Sequence, residues 1–138
     1  MPKTYLTPLE VRGYELDSFG HVNHSVYLNY LEHARWRMLE QEGITLAQIT
    51  ELKLWPVIAH IDIQYVKPAF MGDTLEVRTT CIDHGKTRFV FDQNIYRGDV
   101  QIIKAKVTSV VVNEKGRPVE TPEEYKRLWQ SEDPGAGE

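Results

Sequence analysis

The sequence has little cysteine, no excess of basic residues and no long apolar run. Cys81 is the only cysteine among the 138 residues, so no disulfide can form within the chain. Lys and Arg number 16 against 20 Asp and Glu, which gives a formal net charge of -4. Because nucleic-acid binding relies on basic surfaces, nucleic acid is not an expected partner. No apolar run approaches the roughly 20 residues that a spanning helix needs, so no membrane association is expected either.

The first residues, the single cysteine and the chain length bear on location and domain organisation. Residues 1–13 lack the apolar stretch and small-residue cleavage site of a secretory signal, so a cytoplasmic location is expected. Cys81 lies in an alternating apolar pattern with no neighbours that would activate a thiolate, which indicates a core thiol. The length predicts a single domain over residues 1–130, followed by an acidic tail over 131–138 that we expect to be disordered.

The sequence does contain a pattern that predicts one long amphipathic helix. Tyr27, Leu31, Ala34 and Met38 recur at steps of four, three and four, which places them on one buried face. With Asn23 or Ser25 as N-cap and Glu42 at the end, the helix would be about 27 to 30 Å long, and Gly43 would close it. The predicted solvent face carries six polar residues: Asn29, Glu32, Arg35, Arg37, Glu40 and Gln41.

Strand patterns flank this helix. A first strand region is predicted within residues 4–16, and four alternating segments are predicted at 57–67, 74–82, 87–97 and 100–112. Residues 83–85 indicate a hairpin turn, and Thr121 with Pro122 predicts an N-cap and first helical residue of a short helix ending near Trp129. The predicted fold class is therefore α+β, with an antiparallel sheet of about five strands curled around one long helix.

A cluster of polar residues lies just before the long helix. Asp17, Gly20, His21 and His24 fall where unpaired N–H groups and the positive end of the helix dipole favour an anion or a developing oxyanion. Asp17 is a candidate general base or nucleophile. Alternatively, Asp17 closes an Asx-turn between polar loop histidines. A metal site formed by His21 and His24 with Asp17 or Glu32 is a further alternative, but a second strong ligand pair is missing and the spacing matches no compact metal signature, so no metal is predicted.

Two ordered blocks, residues 17–35 and 65–77, resemble the 4-hydroxybenzoyl-CoA thioesterase-like family of hotdog-fold acyl-CoA thioesterases, within a similarity that covers roughly residues 5–113. The first block matches at Asp17, Gly20, His21, Val22, Asn23, Tyr27, Tyr30, Glu32, Ala34 and Arg35. The second matches at Tyr65, Val66, Lys67, Pro68, Gly72, Asp73, Leu75 and Val77. Two motifs in order are more specific than either motif alone.

The resemblance implies a hotdog fold that hydrolyses a small-molecule acyl-CoA thioester to a carboxylic acid and free CoA. It implies no metal or organic cofactor, since CoA is part of the substrate, and a homodimer that assembles to a homotetramer. Asp17 would be catalytic, with backbone amides at the helix start as oxyanion donors. His24, where many relatives carry Asn, would assist Asp17. The implied substrate-binding residues are Gly20, His21, Val22, Asn23, Tyr27, Lys86 and Arg88.

Several assignments have competing interpretations. Glu32 is a rival catalytic carboxylate, although its spacing favours an ion pair with Arg35. Tyr27 equally fits the buried stripe of the helix. The predicted phosphate patch of Lys86 and Arg88, with Lys104 and Lys106 as possible neighbours, could instead be a solvated strand face. The acyl pocket is expected to draw on Trp36, Trp55 and Phe70.

Two other functions are compatible with the fold. One is a hydratase or dehydratase that changes the acyl chain and leaves the thioester intact. The other is a non-catalytic module that binds acyl-CoA or an acyl carrier, since the fold alone does not separate these activities.

Overall fold

The computed structural model describes residues 2–131 of the chain. The predicted tail lies outside these residues apart from Ser131, whose carbonyl accepts a hydrogen bond from the Lys3 N–H at 3.1 Å. None of the helices in this range is long and apolar enough to cross a bilayer. The elements, in chain order, are β1 (Thr4–Glu10), a 3₁₀ turn (Gly13–Glu15), α1 (Val26–Gln41), α2 (Leu46–Leu52), β2 (Trp55–Tyr65), β3 (Thr74–His84), β4 (Arg88–Arg97), β5 (Val100–Val112) and α3 (Glu123–Gln130).

One antiparallel sheet contains all five strands in the order β1-β3-β4-β5-β2. The period-two alternation predicted from the sequence places one row of apolar side chains from each central strand on the inner face of the sheet. These residues are buried: Leu75, Val77 and Cys81 of β3, Phe89, Phe91 and Ile95 of β4, and Ile103, Ala105, Val107 and Val111 of β5.

Helix α1 lies on this inner face and packs against β3 and β1. Its predicted stripe of Tyr27, Leu31, Ala34 and Met38 is buried, and Ala34 is 0% exposed. With 16 residues the helix is about 24 Å long, slightly shorter than predicted. It ends as expected, because Gly43 adopts a φ of +76° that other residues rarely adopt.

A polar link crosses the interface between helix and sheet. Arg35, predicted on the solvent face, is instead largely buried, and one guanidinium N–H donates to Gln93 Oε1 at 2.9 Å. The Gln93 amide donates in turn to the Leu31 carbonyl at 3.1 Å and to Thr79 Oγ1 at 3.0 Å. Among residues 2–131, no ion pair joins Arg35 to Glu32, so that prediction is wrong, and the contact given for the guanidinium is with the buried amide of Gln93 on β4.

Strand β2 forms one edge of the sheet and contains a bulge at Ala59. Ile58 lies opposite Ser109, and Ile61 lies opposite Val107, with the register shifting between Ile58 and His60. The extra residue keeps Ile58 and Ile61 on the same inner face although three positions separate them.

Strand β3 also contains a bulge, and it corrects the predicted turn. Asp83 and His84, predicted in a hairpin turn, pair with Val90 and Phe89 as part of the strand. The turn begins at Gly85, whose N–H donates to the Arg88 carbonyl at 2.7 Å. The extra residue, Ile82, lengthens the strand beyond the point that its alternation indicated.

Helix α3 closes the sheet at the end opposite the start of α1. It begins at Glu123, so Pro122 is the cap and not the first helical residue, and Thr121 is not the N-cap. Tyr125 is buried, and its hydroxyl donates to the Leu54 carbonyl at 2.7 Å. The helix therefore joins the second of two core clusters, which also contains Met38, Phe89, Phe91 and Leu128.

Candidate active site

The loop before α1 is held by its own backbone. The Asp17 N–H donates to the His21 carbonyl at 2.7 Å, and the Gly20 N–H donates to the Asp17 carbonyl at 3.0 Å. Gly20 has a φ of +77°, which a side chain would strain. Further on, the Val22 N–H donates to the Ala69 carbonyl at 2.9 Å, which joins the loop to the segment that follows β2. These hydrogen bonds therefore fix the conformation of the loop that precedes the helix in the chain.

The Asp17 carboxylate has one engaged oxygen and one available oxygen. Its Oδ1 accepts hydrogen bonds from the N–H groups of Phe19 at 2.9 Å and of His21 at 3.1 Å. These two hydrogen bonds form the Asx-turn that was the alternative to a catalytic role for Asp17. Within residues 2–131, no donor contacts the second oxygen, Oδ2. The turn therefore fixes the carboxylate in orientation while leaving one oxygen for chemistry, so the structural and catalytic interpretations are compatible.

Asp17 faces an open cleft of about 330 Å³. The cleft brings together five of the predicted site residues with the segment at the end of β2. Its lining residues are Asp17, His21, Val22, His24, Tyr27, Tyr65, Val66, Lys67 and Pro68.

Two tyrosines connect the cleft to the core. Tyr27 is 3% exposed, and its hydroxyl accepts a hydrogen bond from the Ala69 N–H at 3.2 Å. Burial raises the pKa of Tyr27, which keeps the phenol neutral. The Tyr65 hydroxyl donates to the His24 carbonyl at 3.1 Å, and the two tyrosine rings lie 5.7 Å apart. Tyr27 therefore serves both the core and the cleft, and Tyr65 attaches the loop to β2.

The two histidines differ in their surroundings. The His21 ring packs edge-on against Phe70, with centroids 5.2 Å apart, and lies 6.1 Å from the Phe19 ring. His24 is exposed, and its side chain lines the cleft. His24 is thus freer to reorient around a bound molecule than His21 is.

Gly20 and Asn23, predicted to bind substrate, shape the loop. Asn23 Oδ1 accepts hydrogen bonds from the Ser25 N–H at 3.0 Å and from Ser25 Oγ at 2.9 Å. The N–H groups of Val26 and Leu28 donate to the carbonyls of Asn23 and Ser25. The start of α1 is therefore organised by local bonds, and Gly20 and Asn23 do not line the cleft.

Lys86 and Arg88 lie far from Asp17 within one chain. Arg88 pairs with Val110 of β5, whereas Tyr65 at the cleft pairs with Ile103, seven residues away along the same strand. At about 3.3 Å per residue this separation is roughly 23 Å. The Arg88 guanidinium forms an ion pair with Asp83 at 3.2 Å. Nor does the structure place Lys104 or Lys106 beside Arg88, since they lie six and four residues from Val110 along β5.

Sequence reasoning missed the contribution of Tyr65, Lys67 and Pro68 to the cleft. Lys67 is exposed and forms no salt bridge with any residue that the structure describes. The signal was present, because these residues belong to the second block that resembles the thioesterase family. Their nearness to Asp17 was not readable from spacing, since the pairing of β2 with β5 brings them there.

A second cavity, of about 210 Å³, lies at the other end of α1. Trp36 and Trp55, expected in an acyl pocket, both line it, whereas Phe70 lies against His21 at the cleft. Glu32, the rival carboxylate, also lines this second cavity and not the cleft. Within residues 2–131, no three His, Cys, Asp or Glu side chains come together in a group that could hold a metal ion. Burial raises the pKa of Cys81 to about 11, in line with the core thiol predicted there.

Comparison with known proteins identifies the family. The pattern of the thioesterase-like superfamily matches residues 11–128. The chain belongs to this superfamily. The crystal structure of a hypothetical protein from Aquifex aeolicus shares its fold with a TM-score of 0.86 and 27% identity, covering 91% of this chain and 98% of that one. The predicted α+β hotdog fold is therefore confirmed.

Curated relatives are more specific. A chloroplastic acyl-acyl carrier protein thioesterase of Arabidopsis thaliana is 33% identical over 124 residues, which are 88% of this chain and 65% of that protein. The chain thus spans slightly less than two thirds of this relative's length. The long-chain acyl-CoA thioesterase FadM of Escherichia coli is 39% identical over 71 residues, which are 51% of this chain and 53% of FadM.

Proposed function

We propose that the chain is a thioester hydrolase that cleaves an acyl-CoA to a carboxylic acid and free CoA. The observation that carries the proposal is the Asp17 carboxylate, which lines an open cleft and is oriented by two backbone N–H groups that engage Oδ1 and leave Oδ2 unengaged. Membership of the thioesterase-like superfamily supports this chemistry. The same proposal places the chain in the 4-hydroxybenzoyl-CoA thioesterase-like branch of the superfamily.

In this proposal Asp17 Oδ2 either activates a water molecule or attacks the thioester carbon itself. The N–H groups of Ser25, Val26 and Leu28 already donate within the loop. The backbone amides of His24 and Tyr27, which line the cleft, therefore stabilise the developing oxyanion, helped by the positive end of the helix dipole. His24 donates a hydrogen bond or a proton toward the departing thiolate, because its exposed imidazole lines the same cleft. No metal or organic cofactor takes part in these steps.

Charge at the cleft wall fits an anionic substrate. Lys67 adds a positive charge beside Asp17, where it can attract the phosphates of CoA. Lys86 and Arg88 remain candidate contacts for the nucleotide end. Because about 23 Å separates them from the cleft of their own chain, they would reach substrate held by another copy.

The edge strand β2 supports a homodimer that assembles further to a homotetramer. Its outer edge is unpaired among the described strands, and it exposes apolar side chains at Val57, Ile58 and Tyr65. A free apolar edge favours pairing with a second strand, and a symmetric pair of identical edges gives a closed dimer.

The deciding experiment measures free-thiol release from short-chain, long-chain and aromatic acyl-CoAs. Asp17→Asn keeps an oxygen that can accept the Phe19 and His21 N–H groups, so the loop should stay folded. Turnover should nevertheless fall by about a hundredfold or more, because the amide is neither a base nor a nucleophile.

Glu32→Gln is the matched control, since it neutralises the rival carboxylate on α1. This variant should keep most of the activity. Equal losses in the two variants would contradict the role of Asp17. Tight binding without thiol release from any substrate would favour a binding module instead, and a changed acyl chain on an intact thioester would favour a hydratase.

A further inference from the structure

The residues that line the second cavity are deeply buried on the side of the core and exposed on the side of the solvent. Its floor contains fully buried apolar residues, including Met38, Phe91 and Leu128. Its mouth is marked by the lining residues that remain exposed, namely Leu46 at 61% and Ile58 at 41%, together with Glu32. Such a shape admits a slender molecule end-on and removes most of it from water.

The lining is apolar almost throughout. Its aromatic members, Trp36, Trp55, Phe89 and Phe91, come from α1, β2 and β4. Ser109 also lines the cavity, but its hydroxyl already donates to the Val57 carbonyl at 3.3 Å. The Arg35 guanidinium donates to Gln93, and burial lowers the pKa of Arg35. The cavity therefore offers a large apolar surface and few free polar groups for a ligand.

The position of the cavity relates it to the cleft. Tyr27 lines the cleft, and the α1 residues of the cavity run from Glu32 to Leu39 on the same helix. At about 1.5 Å per residue, the two sites lie roughly 8 to 18 Å apart along the helix axis. Leu28, Glu32 and Trp36 follow at steps of four, so they lie on one side of α1. A chain of methylene groups can cover this distance, whereas a single aromatic ring cannot.

We infer that the cavity binds the distal part of a linear aliphatic acyl chain and that Trp36, Trp55 and Ile58 limit the chain length. This inference rests on the proposed thioester hydrolysis for its acyl group, but the cavity binds the chain through apolar contact alone. A hydrocarbon end that enters the cavity loses contact with water, and each accommodated methylene strengthens binding about fourfold.

Binding can be measured without turnover. Titration of the wild-type protein with linear carboxylic acids, from hexanoic to tetradecanoic acid, is followed by intrinsic fluorescence. Two of the three tryptophans, Trp36 and Trp55, line the cavity, whereas Trp129 stacks on His84. Affinity should rise about fourfold per methylene until the cavity is full and then level off. Benzoic acid should bind more weakly than the medium-chain acids.

Ile58→Trp tests the mouth, and Val57→Trp is its matched control. Ile58 and Val57 are neighbours on β2 and are both 41% exposed, but only Ile58 lines the cavity. Any disturbance of the strand edge is therefore common to both variants. Ile58→Trp should move the levelling-off point to shorter acids and weaken long-chain binding by roughly tenfold, whereas Val57→Trp should not. Trp36→Ala should move that point to longer acids.

Equal effects of the two β2 variants, or binding that does not depend on chain length, would overturn the inference. Equally tight binding of benzoic acid would assign the cavity to an aryl group and would also overturn it. The outcomes separate the two proposals. If binding depends on chain length but the protein releases no thiol, the cavity assignment stands and the hydrolase proposal is contradicted. If the protein releases thiol but the two β2 variants have equal effects, the hydrolase proposal stands and the cavity assignment is contradicted.

Discussion

The two ends of α1 face opposite kinds of environment. At its start, Asp17 and His24 line an open polar cleft shaped by backbone hydrogen bonds. Around its second half, Trp36 and Trp55 line a smaller cavity with an apolar wall. The first site is built from loop geometry, and the second is built from side-chain packing. In the two proposals above, the same helix separates the carboxylate assigned to hydrolysis from the cavity assigned to the acyl chain.

The largest expected effect compares the buried phenols at the two ends. The Tyr30 hydroxyl donates to Glu15 at 2.8 Å near the cleft, and the Tyr5 hydroxyl donates to Glu42 at 2.6 Å beyond the end of α1. Burial, reinforced by these carboxylates, raises the pKa of both phenols well above the usual 10. Above pH 10 the unfolded chain therefore releases protons that the folded protein retains. The free energy of unfolding should be unaffected below this pH and should fall above it.

The fall should be at most about 1.4 kcal/mol per pH unit for each tyrosine, as measured by urea unfolding between about pH 9 and pH 11. Tyr5→Phe and Tyr30→Phe should each make the dependence on pH less steep by one such step. If only one substitution does so, the phenols at the two ends differ in how completely they are shielded from water. An unchanged slope in both would contradict the burial of these hydroxyls.

A smaller effect is expected at Ala34, which lies between the two ends and is 0% exposed. Ala34→Leu forces three further carbons against the sheet, which should lower the free energy of unfolding by about 2 kcal/mol. Thermal and urea unfolding measure this change. Ala47→Leu, on the exposed surface of α2, should change stability by less than about 0.5 kcal/mol. A melting temperature as high as that of the wild type would show that the helix can move away from the sheet.

The smallest effect concerns the bond that ties the cleft loop to β2. Tyr65→Phe removes the hydroxyl that donates to the His24 carbonyl, a bond worth about 1 kcal/mol. Thiol release should slow about fivefold, and the melting temperature should fall by only about 2 to 4 °C. Tyr96→Phe, on the outer face where the ring lies 4.0 Å from the Arg78 guanidinium, serves as control. Equal rates in both variants would mean that the loop holds its shape without this bond.

Much of the fold was predictable because its signals are local. The buried stripe of α1 and the alternation of β3, β4 and β5 follow from side-chain periodicity, which depends on neighbours a few residues apart. The bulges at Ala59 and Ile82 were not predictable, because a bulge is set by the partner strand. The burial of Arg35 was missed for the same reason, since Gln93, which receives its hydrogen bond, lies 58 residues away.

The candidate site divides in the same way. Asp17, His21, Val22, His24 and Tyr27 were predicted together because one loop and the following helical turn contain them all. Lys67 and Pro68 reach the cleft only because β2 pairs with β5, and no local sequence pattern predicts that pairing. Lys86 and Arg88 were assigned by family likeness, and the sheet order places them at the far end of their own chain.

The bulge at Ala59 also bears on how the length of this chain can vary. Deleting Ala59 alone would leave Ile58 and Ile61 alternating regularly opposite Ser109 and Val107, so both inner-face rows would survive. Deleting Asp62 would instead turn Ile63 and Tyr65 to the opposite face. Relatives can therefore differ by one residue in the middle of this strand at little cost, and an alignment gap at Ala59 would mark a conserved sheet rather than a divergent one.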